Sequence, residues 1–109
     1  MNWNILADID ELESLIEESK TQPVGIFKHS TRCSISAMVK DRLERNWEES
    51  SLKPYYLDLI KHREISNKIA SSLGVQHESP QFIIIKNGDV VYHESHYDIN
   101  AKEIAEIGQ

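Results

Sequence analysis

The longest uninterrupted apolar run in the chain is four residues, Phe82–Ile85. That is far short of the roughly 20 apolar residues a membrane-crossing helix needs. It suits one buried strand instead. The other apolar residues come in short clusters at helical or strand spacing. Such a chain builds its core by layering brief strands against amphipathic helices. With 109 residues, 39% of them hydrophobic, the expectation is one globular domain spanning residues 1–109.

The order of elements follows from period and punctuation. Trp3–Leu6 can add a short strand at the front. Asp8 followed by Glu11 reads as a helix start, and Ile9, Leu12, Leu15 and Ile16 behind it recur at helical spacing. Thr21-Gln22-Pro23 closes that helix, and Val24-Gly25-Ile26-Phe27-Lys28 follows as a strand. A polar turn, Ser30-Thr31-Arg32-Cys33, leads into a second helix marked by Ile35, Met38, Val39, Leu43 and Trp47. Tyr55–Leu59 reads as the next strand. Ile65, Ile69, Ala70 and Leu73 mark a third helix stopped by Gly74. Phe82–Ile85 and Val90–His93 flank Asn87-Gly88, a tight-hairpin signal. Asn100 with Glu103 starts a last short helix carrying Ile104 and Ile107. The pattern predicts an α/β fold with a mixed central sheet of four to five strands. The sheet is parallel first and antiparallel at its edge, with helices on both faces.

Charge and cysteine usage narrow the function. Twelve basic against eighteen acidic residues leave a net charge of −6, and no Lys/Arg cluster stands out. Nucleic acid is therefore not an expected partner, nor is a membrane. Met1-Asn2-Trp3-Asn4 carries no basic region ahead of an apolar stretch, so a secretory signal is not expected. The single cysteine excludes an internal disulfide, and a lone reduced thiol points to the cytoplasm.

Cys33 is the residue best placed for chemistry. It follows a strand and stands where the next helix begins, where unpaired amides and the helix dipole favour an anion. It is expected to hold its thiolate form more readily than a free cysteine does, with Arg32 adding positive charge. The competing reading is a buried structural cysteine. The polar neighbours Ser30, Thr31, Arg32, Ser34 and Ser36 argue against burial. Pro80, directly before the buried strand, reads on its own as an ordinary strand starter. The five histidines (29, 62, 77, 93 and 96) lack ligand spacing, so they read as surface or loop residues with no metal. His29, four residues before Cys33, is also placed to stabilise a thiolate.

Taken together, Cys33 at a helix start and Pro80 opening a strand–hairpin–helix finish resemble the thioredoxin fold. The stretches Phe27-Lys28-His29-Ser30-Thr31-Arg32-Cys33-Ser34-Ile35-Ser36, Tyr56-Leu57-Asp58-Leu59 and Gly74-Val75-Gln76-His77-Glu78-Ser79-Pro80-Gln81 resemble the monothiol bacilliredoxins. These bacterial thioredoxin-like proteins were formerly catalogued as general stress proteins. The resemblance runs from about Trp3 to Ile104. That family usually has Pro after its cysteine, where this chain has Ser34.

The resemblance implies a cytoplasmic, oxidative-stress-linked oxidoreductase with Cys33 as nucleophile. It implies Arg32, Ser34 and Ser36 as neighbours of the thiol, and Ser79 and Pro80 as a facing loop with a cis peptide bond. The backbone of Ser79 would pair with an extended substrate segment. The implied substrates are S-thiolated proteins. The implied co-substrate is a low-molecular-weight thiol such as bacillithiol, with no bound cofactor. Ser36 occupies the place of the second cysteine of dithiol thioredoxins, so an external thiol must complete each cycle. A non-enzymatic thioredoxin-fold binding or adaptor module is the alternative.

Overall fold

The computed structural model describes residues 1–109, and its elements follow the expected order. Strand β1 (Asn4–Ile5) precedes helix α1 (Ile9–Glu18), β2 (Val24–His29) and α2 (Ser34–Arg45). Then come β3 (Lys53–Asp58), α3 (Arg63–Leu73), β4 (Gln81–Lys86), β5 (Asp89–Ser95), a short 3-10 turn (His96–Asp98) and α4 (Ala101–Ile107). The five strands form one sheet in the order β1-β3-β2-β4-β5. β1, β3 and β2 run parallel, whereas β4 pairs antiparallel with both β2 and β5.

Local chemistry accounts for the boundaries. Asp8 caps α1 by accepting the Asp10 amide at 2.9 Å, and Asn100 caps α4 by accepting the Glu103 amide at 3.0 Å. Gly74 ends α3 in the left-handed region (φ 66°), which a residue without Cβ adopts at little cost. Asn87 (φ 52°) and Gly88 (φ 82°) are both left-handed, as a two-residue hairpin turn demands.

The sheet divides the core in two. Ile83 and Ile85 point to one face with Leu12, Leu15, Val24, Ile26, Leu57, Ile65 and Ile69, beneath α1 and α3. Phe82 and Ile84 point to the other with Phe27, Val39, Leu43, Ile99 and Ile104, against α2 and α4. All four residues of the Phe82–Ile85 run are fully buried, because β4 lies inside the sheet with helices on both sides. Burying each such side chain contributes about 1.5–3 kcal/mol.

Some helical stripes differ from the periodicity reading. Ile9 is exposed at the first turn of α1, and Ile35 and Met38 are exposed on α2. Trp47 lies beyond the end of α2 and packs on the core from the loop. On α2 the buried line runs through Ser36, Val39 and Leu43, rotated from the line through Ile35 and Met38. A polar residue thus occupies the inward position that periodicity assigns to an apolar one.

Candidate functional site: one cysteine at a helix start

Cys33 is the N-cap of α2, with extended backbone angles (φ −113°, ψ 121°), and is partly exposed. Its amide donates to the Ser30 carbonyl at 3.2 Å, and its carbonyl accepts the Ala37 amide at 3.1 Å. Its side chain makes no capping hydrogen bond, which leaves the sulfur unengaged at the positive end of the helix. Arg32 and Ser34 are exposed on either side. The sequence therefore locates the thiol as expected.

The serines differ from the sequence reading. Ser30 is 8% exposed and Ser36 is fully buried, although polar neighbours had argued for an exposed turn. The reason is hydrogen bonding. The Ser36 hydroxyl lies 2.7 Å from Nδ1 of His29 and accepts the Ser30 amide at 3.1 Å. A buried polar group so satisfied is no longer costly.

His29 is likewise buried on β2, not a surface histidine. Its ring stacks on Phe27 at 5.9 Å and lies 5.7 Å from Tyr56. Burial, reinforced by the nearby Lys40 charge, pushes the His29 pKa below its ordinary value; Asp58 and Glu44 oppose this. Lys40 is held by Glu44 at 2.8 Å and lies 5.5 Å from the centre of the Tyr56 ring. His29 thus engages Ser36, not Cys33.

On the other side of the thiol's end of the sheet, the peptide bond between Ser79 and Pro80 is cis. Pro80 is buried, and its carbonyl accepts the His96 amide at 2.9 Å. Ser79 stands just outside the ladder, which begins at Gln81, and its hydroxyl is buried without a partner. Lys28 and Gln81, opposite each other in the β2–β4 ladder, are also fully inside. Neither had been singled out as buried. The signal was available in outline: in strands that alternate faces, Lys28 follows Val24 and Ile26 into the α1/α3 layer.

No cavity encloses the thiol. A cleft of about 380 Å³ opens between the C-terminal half of α2 and the start of α4, lined by Arg42, Asn46, Tyr97, Ile99 and Lys102. Arg42 is occupied there, donating to the Tyr97 and Ile99 carbonyls at 2.9 Å each. A partly exposed thiol on an open surface suits a macromolecular or solvent-borne reactant more than an engulfed small molecule.

Comparison with known proteins agrees with this arrangement. The family pattern described as monothiol bacilliredoxin BrxC matches residues 4–104. The chain belongs to the monothiol bacilliredoxin family. A solved structure described as a candidate oxidoreductase with a thioredoxin fold is 35% identical, with TM-score 0.78 over 96% of this chain and 92% of that one. The thioredoxin of Schistosoma mansoni is 21% identical, with TM-score 0.75 over 98% of this chain and 93% of its own. That of Fasciola hepatica is 23% identical, with TM-score 0.70 over 95% and 94% respectively. These two share the fold. Family and fold together place this bacilliredoxin among thiol–disulfide oxidoreductases that act on protein thiols.

Proposed function

We propose that the protein removes a small thiol from protein mixed disulfides through Cys33. The observation that carries this reading is the pairing of a free, partly exposed thiol at the α2 N-cap with a buried serine three residues later. The Cys33 thiolate attacks the small-thiol sulfur of a protein–S–S–R disulfide. A Cys33–S–S–R bond forms, and the protein thiolate leaves. Ser36 offers no thiol to attack this adduct. A second R–S⁻ therefore attacks the R sulfur, releasing R–S–S–R and restoring the Cys33 thiolate. Electrons balance: one free R–SH supplies the pair that reduces one protein mixed disulfide, and its sulfur leaves joined to the transferred R in R–S–S–R.

In this reading Arg32 and Ser34 flank the thiol, and Ser79 with Pro80 forms the facing loop. The unladdered backbone of Ser79 would pair with an extended segment of the substrate protein. Bacillithiol is the small thiol the family implies, acting as co-substrate with no bound cofactor.

Time-resolved intact mass measurement tests the scheme. A model protein thiolated with bacillithiol should lose its adduct as Cys33 gains one, and free bacillithiol should clear it. Cys33→Ser should abolish turnover. De-thiolation undiminished in Cys33→Ser would overturn the scheme and leave a binding module.

A further inference from the structure

Because Ser36 takes an inward position at the start of α2, two apolar side chains of that helix are left facing out. Ile35 is 38% exposed and Met38 is 50% exposed. Ile35, Met38 and Arg42 recur at three- and four-residue spacing, so they lie along one face of the helix. That face leads to Tyr97, since the Arg42 guanidinium donates to the Tyr97 carbonyl at 2.9 Å. Tyr97 is itself 54% exposed. With Arg42 it lines the cleft of about 380 Å³ between α2 and α4, which the buried Leu43 and Ile99 also line.

Single exposed apolar residues are ordinary on a protein surface. Here they are aligned. Ile35, Met38 and Tyr97 follow one line that starts beside Cys33 and ends at a cleft, whereas Ile5, Ile9 and Val91, the other large apolar residues left exposed, belong to other elements. The turn carrying Tyr97 is also tied to the loop that faces the thiol, because the His96 amide donates to the Pro80 carbonyl at 2.9 Å. The line is therefore continuous with the reacting surface. A protein whose disulfide sulfur reaches the partly exposed Cys33 must lie over the first turn of α2.

We infer that the face of α2 from Ile35 past Met38 to the Tyr97 cleft is a docking surface for the substrate protein, occupied by an extended segment with an apolar side chain seated at the cleft. The inference rests on the reaction of Cys33 with protein mixed disulfides. Arg42 stands about 14 Å along the helix axis from Cys33. An extended chain covers that distance in about four residues, so the apolar anchor lies about four residues from the thiolated cysteine. Met38 suits many different substrates, because a flexible thioether chain adapts to the side chain it meets. Arg42 donates to the Tyr97 and Ile99 carbonyls and so braces the cleft, which favours an apolar anchor over an acidic one.

Short unstructured peptides with one central cysteine, thiolated with bacillithiol, test this on the native chain. One peptide carries leucine at that spacing on both sides of its cysteine, and the other carries serine. Transfer of bacillithiol to Cys33 is timed by intact mass at subsaturating peptide. The leucine peptide reacts about tenfold faster than the serine peptide. Met38→Gln and Tyr97→Ser bring that ratio close to one, whereas Val91→Gln, on β5, leaves it intact. A ratio near one in the native chain, or one unchanged in both Met38→Gln and Tyr97→Ser, would overturn the docking face while transfer at Cys33 stands. No transfer from either peptide, with the symmetric bacillithiol disulfide still reacting at Cys33, would overturn the underlying reading and the docking face together. Sedimentation of the same proteins covers the remaining occupant: a native dimer that becomes monomeric in Met38→Gln would assign the face to a second copy of the chain and overturn the proposal.

Discussion

The Ser36 hydroxyl bridges His29 Nδ1, at 2.7 Å, and the Ser30 amide, at 3.1 Å. Oγ accepts the Ser30 N–H and meets the His29 ring at Nδ1, so one hydroxyl satisfies a backbone group and a ring nitrogen at once. The residue that stands where a resolving cysteine would stand is therefore a structural brace. It ties the end of β2 to the first turn of α2, and so fixes the turn that carries Cys33.

Ser36→Ala separates brace from chemistry. It leaves a buried Ser30 amide and a buried ring nitrogen without partners, at a cost of about 1–3 kcal/mol. The expected outcome is a lower denaturant midpoint with most of the de-thiolation rate at Cys33 retained below the unfolding range. A rate loss as complete as that of Cys33→Ser would assign Ser36 a direct part in the reaction.

His29 makes stability sensitive to acid. Its pKa is lowered by burial and then by Lys40, so in the folded state it resists protonation below the ordinary value. The unfolded chain takes up the proton first as pH falls through about 6.5. Stability contributed by neutral His29 is present above that pH and is lost below it. Urea unfolding of the native protein should show a fall between neutral and mildly acidic pH that is reduced in His29→Gln. An equal fall in both proteins would place the acid sensitivity elsewhere.

Lys28 gives a dependence of the same sign at high pH. Burial is the leading cause that lowers its pKa from 10.5 to about 8, opposed by Glu78. Between those values the folded chain has released a proton that the unfolded chain still binds, so stability rises with pH across that window. The gap corresponds to about 3 kcal/mol at most. Lys28→Met should therefore be more stable than the native protein at pH 7, with the advantage shrinking as pH rises past 8. Denaturant midpoints of the two proteins at several pH values check both the sign and the window.

Gly25 is required by close packing. A Cβ built there would lie 2.7 Å from two ring carbons of Phe82 and 3.0 Å from Leu52. Phe82 is fully buried between α2 and the sheet and has little room to move. Gly25→Ala should cost about 1–3 kcal/mol through overpacking. Pairing it with Phe82→Leu should recover part of that loss. Additive losses in the double variant would show that the ring is not the obstacle.

Much of the molecule is legible along the chain. The hairpin at Asn87-Gly88, the caps Asp8 and Asn100, and the stop at Gly74 are local, because each rests on the φ preference or side-chain oxygen of a residue already in sequence. The mixed sheet follows from alternating periods and short connections. Cys33 at a helix start, and the absence of a second thiol, are read directly from residue order and count.

Only tertiary structure decided which polar residues go inside. Ser36, His29, Lys28 and Gln81 belong to types that usually face water, so composition assigns them outward. Ser36 and His29 are buried because strand end and helix start, seven residues apart, satisfy each other's hydrogen bonds. Lys28 and Gln81 are buried because β4, arriving from far along the chain, pairs antiparallel with β2 and brings the two opposite each other. Local preference acts over a few residues, whereas burial is set by which distant segment covers a side chain. That is why the sequence by itself located the thiol, but the brace behind it and the buried Lys28 and Gln81 facing each other across the ladder emerge only in the folded chain.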